Sequence, residues 1–274
     1  MVSDGRSTPY PLRSRLARHL RLLREESDLT IKAVGRRVGW SDSKMSRIET
    51  GLTGITPWDA ERLLDVYRVT GHKREWMLGL IRGSRRDVLS AYVHFEAESA
   101  SVLGYESMLF PGILQLPEYT RALIRSAEPT ASPERINMLI TRRIARQALL
   151  TSDDGPSFHL VVDESVLHRP IGSEQTLKSQ LRRLLDLAEL PSVTLRVFPF
   201  DAADHPALEG AFTVLRFRDE LDPGIVALEH RMTTFYLDDS ADVETYIDVF
   251  RRLNELALDP QDTVKLVSRL ASGR

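Results

Sequence analysis

The sequence of 274 residues contains no cysteine. That absence excludes disulfide staples, thiol nucleophiles, iron–sulfur clusters and cysteine-ligated zinc, and with them any thiol redox sensor. Aromatic residues make up only 7%. No stretch reaches the roughly 18 consecutive apolar residues of a membrane-crossing helix, so none is expected. The N-terminal MVSDGRSTPYPLRSR has no apolar core and is not read as a signal peptide. What is present, 42% hydrophobic and 28% charged residues, predicts a cytoplasmic chain with buried cores and the length of two domains.

The net charge of −2 conceals two halves of opposite sign. Residues 1–83 hold 16 Lys and Arg against 10 Asp and Glu, a net of +6; residues 84–274 hold 21 against 29, a net of −8. A basic head on an acidic body is the charge footprint expected when the head binds nucleic acid.

Within the head, Leu12, Leu16, Leu20 and Leu23 mark one amphipathic helix over 12–27. Thr30 caps a second helix that turns Val34 and Val38 inward and stops at Gly39. Ser41 caps a third, carrying Met45 and Ile48. Thr56-Pro57 opens a fourth with Leu63, Leu64 and Tyr67, and a fifth over about 72–83 carries Trp76, Met77 and Leu80.

The middle pair has the spacing of a helix-turn-helix. Counted from Ile31, the small residue needed where two helices cross falls at Gly35, and the turn glycine at Gly39. The four apolar positions fall at Val34, Val38, Met45 and Ile48. The segment SDSKMSRIETG (41–51) resembles the Ser-x-x-x-x-Ser-Arg-Ile-Glu-x-Gly stretch of the Xre-type, lambda-repressor-like family. The resemblance covers residue 12 to about 70 and implies a five-helix domain whose helix at 42–50 enters the DNA major groove. It implies DNA contacts from Thr30, Ser41, Asp42, Ser43, Lys44, Ser46 and Arg47, with Lys44 and Arg47 suited to guanine. It also implies an Arg24–Glu49 pair. Three residues depart from the family pattern or its needs. Ile31 replaces a phosphate-gripping Gln, Gly35 replaces the usual Ala, and Asp42 puts a carboxylate near the groove.

The body begins after a connector at 84–90. Residues 91–150 read as mostly helical, including a helix over 133–150 whose Arg135, Arg142, Arg143 and Arg146 form a solvated face. Beyond 157 come four strand-like runs, 158–163, 193–200, 211–217 and 224–230, the last three spaced as antiparallel neighbours. A helix over about 173–190 and two closing helices, about 240–257 and 260–272, complete an α+β domain. PGILQLPEYTRALI, RRIARQALL, VVDESVLHRPIG, QLRRLLDLAELPSVTLRVFPF and EGAFTVLRF follow in that order. Together they resemble the C-terminal domain of unknown function of the WhiJ-like, antitoxin-like actinobacterial regulators. That resemblance implies a DNA-binding regulator, often with a small partner protein encoded beside it.

Other chemistry in the body is sparse. Asp163-Glu164 is either a carboxylate pair or the acidic cap of the next helix. His159, His168, His205 and His230 lack metal-ligand spacing. The loop DAADHP (201–206), with His205, is either a lid or plain surface. Gln115 and Tyr119 share a helical face that either contacts a partner or ligand or belongs to the core.

The sequence therefore predicts a flexible tail over 1–11, a mostly α five-helix domain over 12–83, the connector, and an α+β regulatory and dimerisation domain with an antiparallel sheet over 91–272. The expected function is a nucleoid-associated, dimeric transcriptional regulator that binds palindromic double-stranded DNA and receives a signal from a small protein or ligand. The alternative is an antitoxin-like protein that sequesters a small partner, with DNA binding serving autoregulation. Neither catalysis, a metal nor a cofactor is expected.

Overall fold

The computed structural model describes residues 10–82, 85–202, 204–219, 222–230 and 234–273. The expected tail lies outside the described residues as far as Pro9. Two compact units emerge: Met1–Phe95 with Glu229–Asp242, and Glu96–Leu228 with Val243–Arg274.

The first unit holds α1 (Tyr10–Glu26), α2 (Ile31–Val38), α3 (Asp42–Glu49), α4 (Pro57–Val66) and α5 (Gly71–Arg82). Helices α2, α3 and α4 each start where a hydroxyl satisfies an otherwise orphaned backbone N–H. Thr30 accepts from Ala33 N at 3.1 Å, Ser41 from Lys44 N at 3.2 Å and Thr56 from Asp59 N at 3.1 Å. Leu16, Leu20 and Leu23 of α1 are buried, as are Leu63, Leu64, Met77 and Leu80. The side chains of Leu12 and Trp76 lie outside the described residues.

A sixth helix, α6 (Arg85–Glu98), takes up the described part of the expected connector. Near its end Phe95 is fully buried under the Arg15 guanidinium, 5.3 Å from the ring centre. Tyr236, from a strand late in the sequence, meets Phe95 edge-on at 5.8 Å. The first unit is thus completed by residues absent from its first 83.

The second unit contains β1 (Ser99–Glu106), α7 (Pro117–Ala127), α8 (Pro133–Arg146), β2 (Ser157–Asp163), α9 (Glu164–His168), α10 (Glu174–Ala188), β3 (Val193–Phe198), β4 (Phe212–Phe217) and β5 (Ile225–Glu229). After β6 (Thr234–Leu237), whose residues fall in the first unit, come α11 (Ser240–Leu256) and α12 (Pro260–Ser272).

The body's strands lie in the order β3-β2-β1-β4-β5. The sheet is mixed, which corrects the antiparallel expectation. β4 pairs antiparallel with β1 and β5, but β1·β2 and β2·β3 are parallel. The two helical connections, α7–α8 and α9–α10, are long enough for the chain to return and enter the next strand in the same direction. Helices α10 and α12 cover β3, burying Leu181, Leu184, Leu187 and Val267.

The expectation of mostly helix over 91–150 omits β1, the strand between β2 and β4. Its SASVLGYE is short of β-branched residues and its burial does not alternate. Gly104 leaves room for Leu160: a Cβ there would lie 2.9 Å from Leu160 Cδ2.

Candidate nucleic-acid interface

Helices α2 and α3 close on one another through a residue with no side chain. A Cβ on Gly35 would lie 2.7 Å from the backbone oxygen of Trp40, so the α2–α3 turn can approach only because this position is glycine. Gly39 ends α2 in the left-handed conformation at φ 71°, and both its N–H and that of Trp40 bond to the Gly35 carbonyl. Val34, Val38, Met45 and Ile48 are all buried beneath the turn.

Arg24 ties α1 to the end of α3. Its Nε donates to Glu49 Oε1 at 2.9 Å and Oε2 at 3.0 Å, while Nη1 donates to the Leu29 carbonyl at 2.9 Å. The hydrogen bond to Glu49 pushes the Arg24 guanidinium pKa still higher. Burial raises that of the nearby Tyr67 phenol, and the Glu49 charge raises it further. The pair ties the C-terminal end of α3 to α1.

Asp42, Ser43, Ser46 and Arg47 of α3 are exposed. Arg47 has no ion pair among the described residues. Lys44 differs. Its Nζ lies 3.1 Å from Asp59 Oδ2 on α4 and 3.9 Å from the ring centre of Trp40. Sequence reading had grouped Lys44 with Arg47. It also counted Lys32, Arg36 and Arg37 of α2 only toward net charge. All three are exposed and lack an ion pair among the described residues, so they are available to phosphates. Their run of basic residues on a short polar face beside the turn was the signal available.

Of the two readings open for Gln115 and Tyr119, contact face or core, the structure selects the core. Gln115 is 2% exposed and Tyr119 1%, which corrects the idea of a contact face there. The Gln115 amide nitrogen donates to the Phe110 carbonyl at 2.7 Å, and its oxygen accepts from Thr120 Oγ1 and from Arg143 Nη1. Tyr119 stacks edge-on with Phe110 at 5.2 Å, and burial raises its phenol pKa. Arg143 and Arg146 are likewise inner anchors instead of a solvated face. Arg146 grips the buried Glu96 with two bonds, 2.6 and 2.7 Å. Only Arg142 and Arg135 stay exposed, Arg135 paired with Glu128.

His205 is half-buried. Its Nδ1 accepts from Ala207 N at 3.2 Å, and its Nε2 lies 2.9 Å from the Tyr105 hydroxyl. Asp163 caps α9 by accepting from Ser165 N, and Glu164 accepts from Phe200 N. Both carboxylates therefore hold backbone in place. Among the described residues no three His, Asp or Glu gather as a metal site, and no helix is long and apolar enough to cross a membrane.

A family model described as Domain of unknown function (DUF5753) matches residues 89–269, and one described as Helix-turn-helix domain matches residues 15–77. No curated protein and no solved structure matches the chain. The second match spans α2 and α3 and supports a DNA-binding regulator.

Proposed function

The chain belongs to the Domain of unknown function (DUF5753) family, and from that premise we propose that it is a sequence-specific transcriptional regulator that reads DNA with α3. The observation that carries this is an exposed Arg47 on a helix whose end is tied to α1 by the Arg24–Glu49 pair. A guanidinium presented on a fixed helix suits the O6 and N7 acceptors of guanine. Ser43 and Ser46 flank it, and Asp42 suits the cytosine N4 donor. The capped N-termini at Thr30 and Ser41, with Lys32, Arg36 and Arg37, supply phosphate contacts that set register.

One such helix reads only a few base pairs. The protein therefore acts as a homodimer on palindromic half-sites about one helical turn apart. The body carries a net negative charge, which disfavours a second grip on DNA, so its roles are dimerisation and signal reception in the cytoplasm. The signal is a small protein or a ligand that binds two states of the regulator unequally. The Xre-type and WhiJ-like resemblances of the sequence agree with this assignment.

The test is selection of a preferred duplex from random DNA, followed by measurement of every single-base variant with wild type and Arg47→Ala. Loss of Arg47 should cost about 1–3 kcal/mol at one base pair and leave the others unchanged. An unchanged profile refutes the groove assignment. Mass spectrometry of the protein purified from its native cell tests the body. A stoichiometric small protein that also dissociates the DNA complex would favour the antitoxin-like alternative.

A further inference from the structure

We infer that Lys44, although it lies on α3, is a positioning residue and not a reader of bases. It fastens the start of α3 to α4, and base recognition on α3 falls to the residues around Arg47. This inference rests on the DNA-reading role of α3 proposed above.

The observations concern α4 as a bracket. Two residues of α4 three positions apart, Asp59 and Arg62, share a helical face. Asp59 accepts from Lys44 Nζ at 3.1 Å in the first turn of α3. Arg62 donates to the carbonyl of Val38, the last residue of α2, at 2.5 Å. Its guanidinium also lies over the Trp58 ring at 4.6 Å. Between these two attachments runs the turn 39–41, and Trp40 from that turn lies beneath the Lys44 ammonium at 3.9 Å. One helix thus holds the end of α2 and the beginning of α3, on either side of the turn that sets their angle.

Chemistry keeps Lys44 in place. A lysine ammonium has three donors and no preferred plane, so a carboxylate and an indole face together satisfy it well. Asp59 keeps only 16% of its side chain exposed. If Lys44 left for a base, a partly enclosed carboxylate would remain unpaired near the phosphate backbone. Arg47 faces no such conflict, because no partner among the described residues competes for it. The i and i+3 positions of Lys44 and Arg47 look equivalent in the sequence and are opposite in their surroundings.

The test uses the full-length protein and the duplex it selects from random DNA. Lys44→Met should weaken binding to every single-base variant by one common factor and leave each base preference intact. Lys44→Arg, which keeps both the carboxylate and the aromatic contact, should restore wild-type affinity. Arg47→Ala should flatten the preference at one base pair. If Lys44→Met flattens a base preference in the same way, the positioning role is overturned.

A second measurement is independent of DNA. In thermal melts, Lys44→Met and Asp59→Asn should be non-additive with their double variant, because each removes the same link. Strict additivity overturns the bracket. If wild type selects no sequence at all, the DNA-reading proposal fails, while the melting cycle still decides the Lys44–Asp59 link.

Discussion

Replacing Gly35 with alanine should destabilise the protein, although intrinsic helix propensity favours alanine there. Glycine inside a helix costs about 0.5–1 kcal/mol relative to alanine. On that ground alone, Gly35→Ala would stabilise. Against it stands a methyl 2.7 Å from the carbonyl oxygen of Trp40. That oxygen belongs to the backbone of the turn, so relief requires the turn itself to move. Overpacking of this kind costs about 1–3 kcal/mol, which exceeds the propensity gain. The mid-values of the two terms leave a net loss of about 1 kcal/mol, and at most about 2.5 kcal/mol. Urea midpoints give the magnitude, and duplex binding reports whether α3 has tilted. Gly39→Ala is the control. It has open space around the new Cβ but φ at 71°, so its cost is backbone strain of about 1–2 kcal/mol with the α2–α3 approach intact. Gly39→Asn should cost less, since asparagine tolerates that conformation. A Gly35→Ala protein as stable as wild type, or more so, would show that the approach of α2 to the turn is not limited by this contact.

Two further perturbations concern the body. Glu96→Gln strands the Arg146 guanidinium against a neutral amide in a buried setting and should cost about 3 kcal/mol in urea unfolding. Replacing both partners with apolar residues should recover much of that loss, and an additive double variant would count against the pair. His159 on β2 is held below its ordinary value of 6.5 by burial, so the unfolded chain binds its proton more readily. Stability should therefore be full above about pH 6.5 and fall as pH drops through that value toward the folded one. His159→Gln should flatten this acid-side slope, and an unchanged slope would place the proton uptake elsewhere.

The head was legible in the sequence because its signals are local. A capping hydroxyl such as Thr30 or Ser41 acts on a backbone N–H three residues away, and the turn glycine is defined by its own dihedral. What escaped was decided at a distance. Lys44 and Arg47 differ only because Asp59, fifteen residues beyond Lys44, turns back beside one of them. Arg146 looked like a solvated charge until Glu96, fifty residues earlier, was brought to it. Gln115 looked available for contact, whereas the Phe110 carbonyl, Thr120 and Arg143 occupy its amide. β1 escaped because a strand lined on both sides by neighbours can use small residues, and Ser99, Ala100, Ser101 and Gly104 give no alternating pattern.

The ring pair of Phe95 and Tyr236 has a consequence for how the protein is made. A ribosome delivers α1 to α5 long before it delivers Tyr236. Until then the first unit lacks the Tyr236 ring that packs against Phe95 in the finished protein. Closing so long an intervening stretch carries an entropic cost that rises only slowly with its length, about 0.6 kcal/mol for each doubling. The delay is thus set by synthesis more than by thermodynamics. Truncation before β6 should therefore leave Phe95 less covered than in the full-length chain, because part of the first unit is supplied by residues 229–242.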